Sequence, residues 1–264
     1  MTTFEAIVIA IVEGLTEFLP VSSTGHMIIA SSLMRVAQDD FTKLFEVAIQ
    51  LGAIISVVII YWKRFFPLNR WNFYFKLIVA VIPALVLGAL FSDKIDELLE
   101  SPTTVAVALL VGGIVLLFID RLFTSPAIEE ESQISFGKAF VTGIWQCVAM
   151  LPGVSRSAAS IIGGMQQKMT RNLAAEFSFF LAIPTMAAAT GYKLLKTFKT
   201  NPDVLKDSHN LMLLALGNVV AFVVAMLAIK FFIGYVQKYG FKLFGWYRII
   251  LGVVLLMLIY KGYL

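Results

Sequence analysis

Charged residues are scarce in this sequence. Only 14% of its 264 residues are Asp, Glu, Lys or Arg, whereas 59% are hydrophobic. Soluble domains typically contain about 25% charged and about 45–50% apolar residues. So few charges cannot cover the surface of a soluble fold of this size, and the same composition excludes a disordered chain, a collagen and a coiled coil. The chain is therefore predicted to be an integral membrane protein.

Cysteine and histidine are also scarce. The single cysteine, Cys147, excludes an internal disulfide framework and a metal site built from several cysteines. With only two histidines, His26 and His209, a zinc site made of several histidines is not expected. The net charge of +4 is ordinary for a membrane protein, whose basic residues collect on one side. We therefore expect no nucleic acid among the partners.

The N-terminal segment contains no Lys or Arg up to residue 34, so it lacks the basic region that opens a secretory signal peptide. Its apolar stretch, 4–19, is interrupted by Glu13 and Glu17 and is short for a membrane span, which needs about 20 residues. We expect a helix that enters the membrane and stops at Pro20.

Six other stretches are long and apolar enough to span a membrane. They are 44–62, 73–92, 103–123, 173–195, 210–236 and 243–260.

Two shorter stretches, 4–19 and 136–151, are each broken by proline and followed by a hydroxyl-rich loop and a second short helix, about 23–34 and 156–168. This pattern is typical of re-entrant helix–loop–helix hairpins. Irregular backbone survives at membrane depth only where protein or a water-filled cavity surrounds it, so both loops are expected to face a cavity.

The two hairpins resemble each other. A shift of 133 residues places Glu13 on Gln146, and residues 22–24 on residues 155–157. Each half then contains one hairpin and three spans, and three is odd, so the second half starts on the opposite membrane face. An inverted repeat of this kind places its site at the repeat interface near the midplane.

The predicted fold is an all-α polytopic membrane protein with six spanning helices and two re-entrant hairpins in an inverted-topology repeat. It forms a single domain over 1–264, with one repeat at about 1–124 and the other at about 135–264.

The positive-inside rule predicts the orientation. More Lys and Arg residues, Arg248 among them, fall on the face opposite the N-terminus, although the 193–206 loop opposes the bias. That face is predicted to be cytoplasmic. The first hairpin then enters from the outer face and the second from the cytoplasm, and the active site is expected to open to the outer face.

Glu13 and Glu17 are four residues apart on one helix, so their carboxylates point the same way. Such a pair is costly in lipid and needs a counter-charge, a shared proton or a metal. Mg²⁺ and Ca²⁺ prefer oxygen ligands of this kind. The alternative is a helix end at the interface, with both carboxylates in water.

Ser22, Ser23, Thr24 and His26 follow within nine residues of Glu17. Hydroxyls and the N–H groups that open the next helix suit an anion, although a Ser/Thr cap is an equally ordinary interpretation. Histidine is the usual proton-transfer group near neutral pH.

Arg156 lies between Ser155 and Ser157, and no other charge occurs in 139–165. An arginine within the membrane is by default a functional hypothesis, and its planar fork matches phosphate oxygens. The alternative role, a salt bridge to Glu13 or Glu17, is compatible with phosphate binding.

Together these groups indicate metal-assisted phosphoryl transfer on a substrate with a lipid tail. A transporter of a lipid phosphate, with the acids as ion sites, is the main rival. A purely structural scaffold leaves the buried charges unexplained. Two further acids, Glu46 and Glu176, are near the starts of spanning helices, where a carboxylate is electrostatically favourable.

Several segments closely resemble the undecaprenyl-diphosphate phosphatase family of the bacitracin-resistance type. They are Glu13-Gly-Leu-Thr-Glu17-Phe-Leu-Pro-Val-Ser-Ser-Thr-Gly-His26, Phe45-Glu-Val-Ala-Ile-Gln-Leu-Gly52, Leu151-Pro-Gly-Val-Ser-Arg-Ser157 and Ala175-Glu-Phe-Ser178. The first motif is long and specific, and the resemblance covers the whole chain. Ala159 departs from the Thr that is common in the second hairpin of the family.

The resemblance implies a multi-pass enzyme of the bacterial inner membrane. Such an enzyme hydrolyses undecaprenyl diphosphate to the monophosphate, recycles the carrier lipid of cell-wall synthesis, confers bacitracin resistance and needs a divalent cation, Mg²⁺ or Ca²⁺. Its implied partners are a polyprenyl diphosphate, membrane lipids and a second copy of the chain in a homodimer.

The resemblance also implies roles for individual residues. Glu13 and Glu17 match the acidic motif and would hold the metal, while Glu17, Ser23, His26 and Arg156 would be catalytic. Arg156 and the neighbouring hydroxyls would bind the substrate; these hydroxyls belong to Ser22, Thr24, Ser155 and Ser157. Whether Ser23 or His26 attacks phosphorus, or Ser23 only orients a water, stays open at this point.

Overall fold

The computed structural model describes residues 1–66, 69–99 and 101–262, without the side chains of 92, 93, 95–99 and 205. Within these ranges the chain is almost entirely helical and forms no β-strand beyond one isolated bridge. The α-helices are α1 Thr3–Thr16, α2 Ser23–Leu33, α3 Asp40–Ala48, α4 Gln50–Ile60, α5 Trp62–Phe65, α6 Trp71–Leu99, α7 Pro102–Leu122, α8 Phe136–Cys147, α9 Arg156–Gln166, α10 Arg171–Thr200, α11 Ser208–Tyr239 and α12 Lys242–Tyr260.

Six helical segments of the described chain are long and apolar enough to cross a membrane. They are Asp40–Ile60, Trp71–Phe91, Pro102–Leu122, Arg171–Thr200, Ser208–Tyr239 and Lys242–Tyr260. Each of the six predicted spans is confirmed, and the chain is a multi-pass membrane protein. The first span is divided at Ile49, where α3 ends and α4 begins.

The two short helix pairs are present where they were predicted. Helices α1 and α2 flank the first loop, 17–22, and α8 and α9 flank the second loop, which ends at Ser155. Helix α1 ends at Thr16, ahead of the proline at which it was expected to stop. Their insertion into the bilayer as re-entrant hairpins stays a prediction.

The 133-residue relationship between the halves is repeated in the backbone. Among the described residues, the non-glycine residues with positive φ are Ser22, Arg35, Ser155 and Lys168, with φ between 60° and 71°. They form two pairs, each 133 residues apart. Such conformations cost about 1–3 kcal/mol and persist only where the surroundings hold them. The two hairpins therefore share one local design, whereas the opposite orientation of the halves in the membrane stays a prediction.

Helix packing is reciprocal between the halves. Helix α1 packs on α11 of the second half, and α8 packs on α6 of the first, while α7 pairs with α12 and α4 with α10. The α7–α12 contact is close because glycines face each other: a Cβ at Gly113 would lie 2.8 Å from the Gly245 carbonyl oxygen. The two loops also meet, because Ser157 Oγ, just after the second loop, donates a hydrogen bond of 2.8 Å to the Phe18 carbonyl oxygen of the first.

Asp120 ties three segments together at the far end of α7. Its Oδ1 accepts a hydrogen bond of 2.6 Å from Arg171 Nε at the start of α10, and its Oδ2 accepts one of 2.9 Å from the Phe241 backbone N–H. The turn between α11 and α12 is thereby fixed to the C-terminal end of α7. None of the residues in this contact belongs to either loop.

The placement of Arg248 on the cytoplasmic surface is wrong. Its side chain is fully buried in α12 rather than exposed at a membrane interface. The prediction failed because a basic residue six positions inside a span is ordinarily taken as part of its charged flank. The charge bias behind the predicted orientation is correspondingly smaller.

Gly143 offers a test of the packing of α8 on α6. A Cβ at this position would lie 2.0 Å from the Ala80 carbonyl oxygen, so Gly143→Ala forces the helices apart. Overpacking of this kind costs about 1–3 kcal/mol. We expect Gly143→Ala to lower the melting temperature in detergent.

Gly137 is the matched control, because it lies in the same helix and the nearest atom to an added Cβ is 4.0 Å away. Gly137→Ala should leave the melting temperature unchanged or raise it. Equal stability of both variants would contradict the close α6–α8 contact.

Candidate active site

A continuous chain of hydrogen bonds joins the two loops. Ser23 Oγ donates to Glu17 Oε2 at 2.5 Å, and Arg156 Nη2 donates to Glu17 Oε1 at 3.0 Å. Ser23 and Glu17 are 8% and 7% exposed, so this chain lies inside the protein. Charge-assisted hydrogen bonds are about twice as strong as neutral ones. Three of the residues predicted to be catalytic are therefore in direct contact, although they come from different halves of the sequence.

The Arg156 guanidinium is held on several sides. Its Nη1 donates to the Ser178 carbonyl oxygen at 2.9 Å, and its Cζ lies 5.5 Å from the centre of the Phe18 ring. Ser178 Oγ is in turn hydrogen-bonded to Ser160 Oγ at 2.6 Å. The buried Nε of Arg156 has no hydrogen-bond partner within the described part of the chain. The guanidinium is thus oriented by Glu17, Ser178 and Phe18, while one buried donor stays unpaired.

Glu13 lies one helical turn before Glu17 and is fully buried. Neither of its carboxylate oxygens has a hydrogen-bond partner among the described residues. The alternative interpretation, in which both carboxylates stand in water at a helix end, is therefore wrong for Glu13. Buried carboxylate oxygens without partners are costly, so this position needs a proton or a cation.

The carboxylates fit a hard divalent cation bound in part by substrate. Mg²⁺ is usually held by one or two carboxylates together with waters and substrate phosphates. Over residues 1–66, 69–99 and 101–262, no three His, Cys, Asp or Glu side chains are grouped to hold an ion by themselves. The donor set of Glu13 and Glu17 agrees with the first arrangement and not with a closed cage.

His26 is oriented by two hydrogen bonds. Its Nδ1 lies 2.7 Å from the Ser22 carbonyl oxygen, and its Nε2 lies 2.6 Å from the Tyr247 hydroxyl. A carbonyl oxygen only accepts, so Nδ1 carries a hydrogen, and in the neutral ring Nε2 then accepts from the Tyr247 O–H. The two rings are parallel, with centroids 5.5 Å apart. His26 is thus held with Nε2 toward Tyr247, on the helix turn that follows Ser23.

The four other predicted hydroxyls have mainly structural contacts. Ser22 Oγ and Ser155 Oγ cap α2 and α9 by accepting from the N–H groups of Gly25 and Ala158. Ser157 Oγ bridges the loops by donating to the Phe18 carbonyl oxygen at 2.8 Å. Thr24 is half-buried in the first turn of α2. Their role in substrate binding stays a prediction, while the first N–H groups of both helices remain available to an anion.

Sequence reasoning missed Ser178, Ser160 and Tyr247. Ser178 belongs to the Ala175–Ser178 segment that carries the family resemblance, yet nothing in the sequence indicates that its carbonyl faces Arg156. A tyrosine near the start of a span is ordinarily assigned to the interfacial aromatic belt. Glu176, by contrast, lies near the start of α10, as expected.

Comparison with known proteins identifies the family to which the chain belongs. The family described as bacitracin resistance protein BacA matches residues 6–254. A protein named undecaprenyl-diphosphatase from Flavobacterium psychrophilum is 59% identical over 98% of this chain and 96% of its own length. Proteins of the same name from Bdellovibrio bacteriovorus and Porphyromonas gingivalis are 51% and 50% identical, over 100% and 99% of this chain and 98% of their own lengths. The chain belongs to the bacitracin resistance protein BacA family.

Proposed function

We propose that this protein hydrolyses undecaprenyl diphosphate to undecaprenyl phosphate and inorganic phosphate. The observation that carries the proposal is the contact of one buried carboxylate, Glu17, with a hydroxyl, Ser23, and a guanidinium, Arg156. This arrangement supplies a base, a nucleophile and a phosphate-binding cation at one point. The names of the relatives supply the substrate.

Ser23 is the proposed nucleophile. Its O–H already donates to Glu17 at 2.5 Å, so Glu17 takes the proton as Ser23 Oγ attacks the terminal phosphorus. The bond from this phosphorus to the bridging oxygen breaks, and undecaprenyl phosphate leaves with the bonding electrons. Glu17 passes its proton to the departing phosphate oxygen. Water then attacks the phosphoserine, Glu17 takes a proton from this water and returns it to Ser23 Oγ, and inorganic phosphate is released.

Arg156 holds the terminal phosphate. In the structure its guanidinium contacts Glu17 and the Ser178 carbonyl oxygen, while its buried Nε has no partner among the described residues. A bound phosphate would supply that acceptor. Positive charge placed where negative charge develops usually contributes more to the rate of phosphoryl transfer than any other single effect.

His26 transfers protons rather than attacking phosphorus. Both its ring nitrogens are engaged, Nδ1 with the Ser22 carbonyl and Nε2 with Tyr247. An imidazole fixed in this tautomer is suited to accept a proton at Nε2 from a water or a hydroxyl that displaces Tyr247, and to return it later.

A divalent cation, Mg²⁺ or Ca²⁺, is the proposed cofactor. Glu13, whose buried oxygens have no other partner among the described residues, and the neighbouring Glu17 would hold it. When bound, such a cation neutralises phosphate charge and so makes phosphorus easier to attack.

The proposed setting is the bacterial inner membrane, with the site open to the outer face. There the reaction returns the carrier lipid of cell-wall synthesis to its monophosphate form, and we extend the proposal to the bacitracin resistance for which the family is named. The charge bias along the sequence supports this placement.

Phosphate release is the direct test. Purified protein in detergent, given undecaprenyl diphosphate with Mg²⁺ or Ca²⁺, should release inorganic phosphate, and EDTA should stop the release. A folded Arg156→Ala variant should be inactive. Because detergent solution has no membrane gradient, binding of the lipid without phosphate release would favour a transporter instead.

Arg156→Lys should retain the charge and lose most of the turnover. A single ammonium cannot contact Glu17, the Ser178 carbonyl and a phosphate as the planar fork does. We expect kcat to fall by about 10²–10³-fold, the usual cost of removing a donor that stabilises the transition state. Arg171→Lys makes the same chemical change at the Asp120 pair, away from the loops, and should keep normal kcat. Similar rates for the two variants would contradict the role of Arg156.

Tyr247→Phe should alter His26 without altering the fold. The substitution keeps the stacked ring and removes only the hydroxyl that donates to Nε2. In a His209→Gln background, ¹⁵N NMR of the remaining histidine should show the Nδ1–H tautomer, and Tyr247→Phe should move the Nε2 resonance toward that of a free imidazole nitrogen. An Nε2–H tautomer would contradict the assignment.

A further inference from the structure

Arg248 is the largest fully buried side chain in the described chain, and it lies beside neither Glu nor Asp. All five N–H donors of its guanidinium point at backbone carbonyl oxygens, at distances of 2.8–3.4 Å. The acceptors are Pro20, Ala108, Leu109, Gly153 and Val154.

The acceptors come from the two loops and from α7. Nη1 bridges the loops directly, because it donates to Pro20 at 3.2 Å and to Val154 at 2.9 Å. Nη2 contacts Gly153 at 2.8 Å and α7 at Ala108. An isolated charge in an apolar interior is very costly unless every donor is satisfied. The guanidinium is therefore stable only while both loops keep their present positions.

The bridged residues are next to the proposed catalytic groups. Pro20 is three residues from Glu17 on one side and three from Ser23 on the other, and Val154 is two residues before Arg156. Displacement of either loop would change the distances among Ser23, Glu17 and Arg156. Arg248 thus controls the relative positions of these catalytic groups without touching the reacting atoms.

Gly112 on α7 makes room for this arrangement. A Cβ at Gly112 would lie 2.2 Å from Arg248 Nη2, so any side chain there displaces the guanidinium. Gly153, which accepts from Nη2, has a φ of 90° and faces the Val105 carbonyl closely. Helix, loop and guanidinium therefore fit only with glycine at these two positions.

We propose that Arg248 is a positioning residue: it holds the two loops in the relative positions that bring Ser23, Glu17 and Arg156 together. The inference rests on the proposed phosphatase activity for its kinetic consequence, although its structural consequence can be measured without any substrate.

Arg248→Lys is the first variant, because it keeps a cation but offers three donors to five carbonyls. Gly112→Ala is the second, because it displaces the guanidinium without changing any charge. A misplacement of about 1 Å can cost 10²-fold in rate, so we expect kcat to fall by about that factor with a much smaller change in KM.

Asp120→Asn is the matched control. It weakens the contacts of α7 with α10 and α12, so it should lower the melting temperature while kcat of the folded protein stays near normal.

The loop positions can be followed by electron paramagnetic resonance. Spin labels at Leu33→Cys and Leu151→Cys, which are 63% and 48% exposed, report the first hairpin against the second loop in a Cys147→Ser background. The distance distribution should be narrow in the parent protein and broad in both Arg248→Lys and Gly112→Ala, and it should stay narrow in Asp120→Asn.

The outcomes separate the two proposals. If the distance distributions are broad in both variants but the parent protein never releases phosphate, the proposed phosphatase activity is rejected. The role of Arg248 in positioning the loops is then retained. Narrow distributions in both variants, or a loss of stability with kcat of the folded fraction unchanged, would overturn the role of Arg248. Should Arg248→Lys fail to fold, Gly112→Ala decides by the same two measurements.

Discussion

The Glu17–Arg156 ion pair is the contact on which the site depends. Its partners are 139 residues apart, and each of the two Glu17 oxygens faces a different half of the chain, one toward Ser23 and the other toward Arg156. Removing one partner of a buried pair typically costs about 3–5 kcal/mol, because the remaining charge is left uncompensated. The packing of Phe18 and the bond from Ser157 to its carbonyl keep the partners together. A phosphate that enters beside Arg156 can take over part of this pairing without exposing any charge to lipid.

Much of the fold and the charged part of the site follow from the sequence alone. Spanning helices are set by long apolar stretches, and an apolar chain with few charges makes each interior charge conspicuous, as with Glu13, Glu17 and Arg156. The prolines and hydroxyls between the short helices likewise indicate the loops. The positive φ shared by Ser22 and Ser155 agrees locally with the shift of 133 residues between the halves, while the inverted repeat itself stays a prediction.

The remaining part of the site could not be predicted because it consists of main-chain contacts. Residue types do not reveal which backbone carbonyl groups will accept hydrogen bonds from a side chain. The Ser178 carbonyl that holds Arg156 and the five carbonyls around Arg248 are of this kind. A hydroxyl in a loop serves equally as a cap or as a ligand, and only the folded chain shows that Ser155 Oγ caps α9. Tyr247 was similarly indistinguishable from a residue of the interfacial belt until its hydroxyl was located beside His26.

The glycine contact between α7 and α12 limits how a lipid reaches the site. Gly113 and Gly245 bring the two backbones together, and Arg248 binds α7 immediately beside them. A chain of isoprene units is too thick to pass through a seam in which an added Cβ would already lie 2.8 Å from a carbonyl. Opening this seam would also strip the buried guanidinium of its acceptors. For the proposed polyprenyl substrate, the path to the loops must therefore lie between other helices, because the α7–α12 side is closed.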